Sequence, residues 1–301
     1  MINRGIVALF LICFLTSMSA CILAVNKIAV ISLSGPIQAE SRVSFISSAS
    51  ITPSLIRHQL EKANADFGVK AIVIQINSPG GDVSACEEIR YEMAKVKKPL
   101  VISMRTIATS GGYYISAGAD KIVALPTTST GSIGVITYIP NLYGLFDKLG
   151  IKMEVIKAGK YKSMYSGFKD LTPEELQIIQ RNTDQAYERF IDIVAAGRQI
   201  DKEKVRAMAT GQIYTGLDAK ELGLVDEIGG LQTAIDVAAK LAAIEKPRME
   251  YYEPESSDLL KLILGTSTGI FNRGIDSGIT GVEDILVQEL LDNTYPKYYY
   301  R

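Results

Sequence analysis

Short apolar runs rich in Val and Ile alternate along the chain with helix-like segments, and this alternation constrains the fold more than any other feature. The strand-like runs are Lys27–Leu33, Lys70–Asn77, Leu100–Met104, Lys121–Leu125, Ile133–Tyr138 and Lys152–Ile156. The helix-like segments are Pro53–Ala65, Val83–Lys97, Gly111–Ala119, Leu142–Lys148, Pro173–Ala196, Lys202–Met208 and Leu231–Ile244. Strands that are apolar on both faces and joined by crossover helices form parallel sheets covered on both sides. The sequence therefore predicts an α/β domain with a parallel sheet over residues 27–246.

The N-terminal segment differs from the rest of the chain. From Gly5 to Val25 it has 21 residues without a charge, enough for a transmembrane helix across a hydrocarbon core of about 30 Å. The segment also fits a cleaved secretory signal, or a lipoprotein signal in which Cys21 carries the lipid. We therefore expect residues 1–26 to be a signal anchor or signal peptide. The protein would then lie at the cell membrane, single-pass or lipid-anchored, with its body outside the cytoplasm.

The charged residues and the single histidine exclude several classes of partner. The 32 Lys and Arg residues balance 33 Asp and Glu residues, so no broad basic face is available to bind nucleic acid. The one histidine, His58, lies among charged neighbours on a predicted helix and is expected at the surface. We therefore expect no metal site, no other cofactor and no nucleic-acid partner.

The composition changes beyond Pro247. The stretch Gly265–Gly281 contains five glycines, and the chain ends in a tyrosine-rich sequence. The glycine-containing stretch has little helical or strand periodicity. The sequence predicts that residues 247–301 form a loosely ordered or substrate-like C-terminal tail.

Two glycine-containing segments each follow a predicted strand. In Asn77–Asp82, Gly80 and Gly81 could present backbone amides to a developing oxyanion, although an ordinary turn would have the same sequence. In Thr106–Tyr114, Ser110 precedes two glycines and is a candidate nucleophile, although a serine here could also simply cap the helix. Ser132 supplies a second hydroxyl between this segment and the next.

Lysine is the alternative to histidine as the base for such a serine. Lys160 and Lys162 follow the last predicted strand, where each could face a cleft, although a solvated lysine is the more common situation. The pKa of an unperturbed lysine is near 10.4, and burial can lower it by up to roughly 3 to 5 units. Desolvation is thus large enough to supply a neutral amine near pH 7.

Six motifs together resemble the signal peptide peptidase A family of membrane-bound Ser-Lys peptidases, also called protease IV. In order they are SPGGDV, ATSGGYYISAGAD, TGSIGVI, AGKYKS, LTPEEL and LVDEIGG. The resemblance runs from Lys27 to Leu241. It implies a sheet like that of the Clp protease proteolytic subunit and the crotonases. Because the chain holds one such domain, it resembles the short form of the family.

The resemblance also implies roles for individual residues. Ser110 corresponds to the nucleophile and Lys162, 52 residues later, to the general base, with Lys160 as a less favoured competitor. Ser132 corresponds to the serine that contacts the lysine. The oxyanion amides correspond to Gly80, Gly81 and Gly111. In the short form, subunits form a dome-like ring whose neighbours contribute serine and lysine to a shared site.

The sequence therefore predicts a membrane-associated serine endopeptidase that degrades cleaved signal peptides or other membrane-proximal peptides. Two other classes stay open. A crotonase-like acyl-CoA enzyme would rely on carboxylates near the glycine turns, for which Asp82 and Glu87 are available. A non-catalytic membrane scaffold would result if the serine and lysine did not assemble.

Overall fold

The computed structural model describes residues 26–40, 50–252 and 298–300. These residues divide into two compact units. The first contains the described residues up to Gly134, those from Tyr187 to 252, and Tyr300. The second contains Val135–Ala186 with Tyr298 and Tyr299.

A parallel sheet forms the centre of the first unit. Its main strands are β1 (Lys27–Ser34), β2 (Val69–Ser78), β4 (Leu100–Thr109), β5 (Lys121–Ala124), β9 (Glu227–Ile228) and β10 (Arg248–Tyr252). They lie in the order β10-β1-β2-β4-β5-β9, and every pair is parallel. Three shorter strands are β3 (Gly81–Asp82), β6 (Ser129–Gly131) and β8 (Ile213–Tyr214). Strand β6 pairs parallel with β4 and antiparallel with β8.

Helices connect and cover these strands. Those of the first unit are α1 (Pro53–Ala65), α2 (Val83–Ala94), α3 (Gly111–Ser116), α6 (Lys202–Met208), α7 (Gly216–Glu221) and α8 (Leu231–Leu241). One sheet face packs on α8, where Val73, Val101 and Val123 contact Ala234 and Ile235 in a buried cluster. The strands are buried on both faces, as expected for a parallel sheet.

The second unit contains β7 (Ile136–Thr137), α4 (Tyr143–Lys148) and the first half of α5 (Pro173–Arg198). Strand β11 (Tyr298–Tyr300) pairs antiparallel with β7. Helix α5 begins with a capping box: the N–H of Glu175 donates to Thr172 Oγ1 at 3.2 Å, and Glu175 Oε2 accepts from the N–H of Thr172 at 3.0 Å.

Most predicted elements of the first unit are confirmed, and helices α1 and α6 have the predicted bounds. The strand predicted at Lys152–Ile156 is wrong, because this segment pairs with no other described strand and all of its residues are exposed. Alternation of apolar and polar residues favours a strand only where a neighbouring strand supplies hydrogen bonds. Of the run predicted at Ile133–Tyr138, only β7 forms.

The predicted α/β fold with a parallel sheet is thus confirmed. No helix in the described ranges is long and apolar enough to span a bilayer. The predicted transmembrane segment and most of the C-terminal tail lie outside the described residues. Strand β10 lies beyond the predicted domain boundary at residue 246 and pairs with β1.

Candidate active site

Ser110 lies at the junction between β4 and α3, as its sequence position predicts. Its N–H donates to the carbonyl of Gly131 at 2.8 Å, and its carbonyl accepts from the N–H of Tyr114 at 2.8 Å. Its hydroxyl forms no capping hydrogen bond to the helix. Ser110 thus occupies the N-cap position of α3, but the alternative that its hydroxyl caps the helix is wrong.

The backbone of Ser110 is strained, and its hydroxyl is enclosed. The residue has φ 52° and ψ −116°, a conformation that costs a non-glycine residue about 1–3 kcal/mol and is concentrated at functional sites. Its side chain is 0% exposed, and Oγ has no hydrogen-bond partner among the described residues. A buried hydroxyl without a partner is costly for stability alone. Both features are typical of a nucleophile held for reaction.

Ser132 lies beside Ser110 at the end of the neighbouring strand. In the β4–β6 register Thr109 pairs with Gly131, so the next residue on each strand is a serine. Ser132 is also buried and has φ 50°. Its N–H donates to the carbonyl of Gln212 at 2.8 Å. The sheet therefore places two serine residues that are 22 positions apart in the sequence at neighbouring strand ends.

The Gly80–Gly81 turn packs against the start of α3. A Cβ atom added to Gly111 would lie 3.1 Å from the nitrogen of Gly81 and 2.6 Å from Cys86 Sγ, so no side chain fits there. A Cβ atom on Gly81 would lie 2.0 Å from the carbonyl oxygen of Ile37. The N–H of Gly80 donates to Ser78 Oγ at 3.2 Å. Gly81 and Gly111 thus pack closely against each other beside Ser110, whereas the Gly80 amide is already bonded to Ser78.

The two carboxylates proposed for acyl-CoA chemistry are engaged elsewhere. Asp82 Oδ1 accepts from the N–H of Ala85 at 2.8 Å and caps α2. Glu87 binds Arg90 and Arg189 and accepts a hydrogen bond from the Tyr114 hydroxyl. Burial by itself would raise the pKa of Glu87, but these hydrogen bonds outweigh it and lower the pKa to about 2. Neither group is placed as a free base.

The candidate lysines belong to the second unit. Lys160 forms an ion pair with Glu174, and this hydrogen bond raises the pKa of the lysine. Lys157 donates to Ser163 Oγ at 3.0 Å and to the carbonyl of Lys160 at 2.9 Å. Lys162 is exposed and forms no ion pair with any described residue. The described residues of one chain therefore leave the Lys162 side chain in solvent.

His58 lies at the surface, whereas Cys86 is buried next to the site. His58 is exposed on α1, as its sequence environment predicts. Cys86 is fully buried behind Gly111, and burial raises the pKa of its thiol. Sequence reasoning missed this contact and also the bond between Tyr114 and Glu87. The only available signal was that Cys86 and Glu87 follow the first glycine turn by about one helical turn.

Two protein families match the part of the chain that contains Ser110. Residues 92–245 match peptidase family S49, and residues 29–131 match the Clp protease family. A protein of Enterococcus faecium named as a signal peptide peptidase SppA is 37% identical over 281 residues, covering 91% of this chain and 81% of that protein.

Two longer relatives match over a smaller part of their length. Protease 4 of Salmonella typhi is 39% identical over 214 residues, which cover 70% of this chain and 34% of the relative. The chloroplastic serine protease SPPA of Arabidopsis thaliana is 34% identical over 268 residues, which cover 87% and 39%. The family match covers half of the chain and includes Ser110, Ser132 and both candidate lysines. The chain belongs to peptidase family S49 and is a serine peptidase.

Proposed function

We propose that this peptidase is a membrane-associated endopeptidase with a Ser-Lys dyad that cleaves leftover signal peptides and other membrane-proximal peptides. The observation that carries the proposal is Ser110, whose strained backbone and enclosed, unpartnered hydroxyl lie beside Gly81 and Gly111. The Enterococcus faecium relative bears the name signal peptide peptidase, and this supports the substrate class.

In the proposed mechanism, Ser110 Oγ attacks the peptide carbonyl while the neutral amine of Lys162 takes the hydroxyl proton. The amides of Gly81 and Gly111 stabilise the oxyanion, and Gly80 shapes the turn. The lysine ammonium then protonates the leaving amine, and an acyl-enzyme remains. Lys162 next takes a proton from the water that attacks the ester carbonyl. As the ester C–O bond breaks, the lysine ammonium gives this proton to Ser110 Oγ, which releases the acid and restores the serine hydroxyl and the neutral amine.

The charges of the second unit favour Lys162 over Lys160 as the base. The ion pair with Glu174 raises the pKa of Lys160 and keeps that amine protonated. Lys162 has no such carboxylate partner among the described residues. We further propose that the Ser132 hydroxyl forms a hydrogen bond with the amine of Lys162 and orients this amine toward Ser110.

We propose that a second copy of the chain completes the site, within a ring of subunits. The exposed Lys162 needs a partner surface to remove it from water, and Ser110 is already buried. If neighbouring copies supply serine and lysine, mixing inactive Ser110→Ala and Lys162→Ala proteins should restore activity. Random assembly would restore about a quarter of the sites.

Peptide hydrolysis by the mixture, after subunit exchange in mild denaturant, measures this restoration. Each variant mixed with itself is the control. A mixture that forms mixed oligomers, shown by mass spectrometry of tagged copies, but stays as inactive as either variant would contradict the shared site.

The apolar segment from Gly5 to Val25 supports attachment to the cell membrane with the catalytic part outside the cytoplasm. Mass spectrometry of the mature protein from membranes tests this. We expect either an intact N-terminus or a lipid on Cys21. A mature chain that begins at or after residue 21 and carries no lipid would contradict anchoring by this segment.

The two other classes have less support. Asp82 and Glu87, the carboxylates that an acyl-CoA reaction would need, are held by a helix cap and by arginines. A scaffold would not need a strained, buried serine. Covalent labelling of Ser110 by a fluorophosphonate distinguishes a peptidase from both.

A further inference from the structure

The conformation of Ser110 needs support from both sides. On one side, the β6 carbonyl of Gly131 accepts from the N–H of Ser110. On the other side, the N–H of Tyr114, in the first turn of α3, donates to the carbonyl of Ser110. Helix α3 has only six residues, too few to be stable by itself in water. Its position, and with it the position of Ser110, must be fixed by tertiary contacts.

Tyr114 connects α3 to helices α2 and α5 in the first unit. Its ring is 1% exposed and packs edge-on against Phe190 of α5, with the ring centroids 5.1 Å apart. Its hydroxyl donates to Glu87 of α2. Burial and the bond to Glu87 both raise the pKa of Tyr114, so the phenol keeps its proton and remains a donor.

Glu87 is itself fixed from two helices. Arg90 of α2 donates from Nε at 3.1 Å and from Nη2 at 2.9 Å, and Arg189 of α5 donates from Nη2 at 2.6 Å. Hydrogen bonds with a charged partner are stronger than neutral ones, and paired guanidinium contacts also fix geometry. The carboxylate therefore offers the Tyr114 hydroxyl an acceptor that cannot easily rotate away.

We propose that Tyr114, anchored by Glu87, is a positioning residue that holds the nucleophile Ser110 in its left-handed backbone conformation. The inference rests on the proposed role of Ser110. Rigid support of this kind matters for reactivity because small displacements of a nucleophile have large effects on rate. Tyr114 acts here through the backbone of α3 and touches no reacting atom.

The neighbouring residue provides a matched control. Tyr113 is also fully buried on α3, and its hydroxyl donates to the carbonyl of Leu224 at 2.9 Å. Tyr113→Phe and Tyr114→Phe each remove one buried hydroxyl from the same helix. Of these two tyrosines, only Tyr114 donates its N–H to the Ser110 carbonyl and its hydroxyl to Glu87.

The test measures the second-order rate of fluorophosphonate labelling of Ser110 in the full chain, together with thermal denaturation. We expect both variants to lose comparable stability. Tyr114→Phe should slow labelling about tenfold and lower kcat for peptide hydrolysis without raising KM, whereas Tyr113→Phe should stay within about twofold of wild type.

Equal labelling rates for the two folded variants would overturn the proposal. Failure of the wild-type protein to label at Ser110 would instead contradict the proposed function. If Tyr114→Phe does not fold, Glu87→Asp takes its place, because it keeps the negative charge near the arginines but withdraws the carboxylate from Tyr114. Labelling of folded Glu87→Asp at the wild-type rate would also overturn the proposal.

Discussion

Replacing Ser110 with alanine is expected to lower kcat for peptide cleavage by at least about 10⁴-fold, because the covalent route through an acyl-enzyme is lost. The fold should persist. The Ser110 hydroxyl has no hydrogen-bond partner among the described residues, so its removal breaks no bond there. Stability should therefore equal that of wild type or exceed it by up to about 1–3 kcal/mol, because an unsatisfied buried hydroxyl is removed. Steady-state kinetics and urea denaturation measure the two quantities.

Ser116→Ala provides the matched control. This serine is also buried on α3, but its hydroxyl donates to the carbonyl of Gly112 at 2.6 Å. Its loss should cost about 1 kcal/mol of stability and leave most of the activity. The two serines thus have opposite expected effects on stability and rate. Wild-type kcat in Ser110→Ala would exclude this residue as the nucleophile.

Replacing Lys162 with alanine is expected to lower kcat by about 10³-fold or more, because Ser110 loses the group that accepts its proton. Lys162 is exposed and forms no ion pair with the described residues, so the variant should fold normally. Lys162→Arg should be as inactive as the alanine variant, since a guanidinium keeps its positive charge but cannot be deprotonated. Steady-state kinetics on a peptide library, at matched protein concentration, measures both variants.

Lys160→Ala and Lys157→Ala are the controls for this prediction. Both lysines lie within five residues of Lys162, but Lys160 is paired with Glu174 and Lys157 donates to Ser163. Neither change should reduce kcat more than a few-fold. Loss of activity in Lys160→Ala with full activity in Lys162→Ala would reverse the assignment of the base.

The arrangement around Ser110 was largely predictable because it depends on strand ends. Parallel strands bring their carboxyl ends to one edge of the sheet, so serines and glycines that directly follow β2, β4 and β6 must lie near one another. Sequence signals for β2 and β4 are strong, since both are long apolar runs. The roles of Lys160 and Lys162 were harder to separate, because two lysines two residues apart differ only in the groups that surround them.

Local sequence by itself determined the parallel α/β sheet, helices such as Pro53–Ala65 and the capping box at Thr172, since each depends on periodicity or on contacts a few residues apart. Tertiary structure alone decided that Lys152–Ile156 is not a strand and that Glu174 binds Lys160. It also decided that Glu87 holds Tyr114 behind Ser110. These outcomes depend on contacts between groups that are far apart in the sequence. Whether a segment forms a strand depends on a neighbouring strand, and the pKa of a charged side chain depends on the groups that surround it.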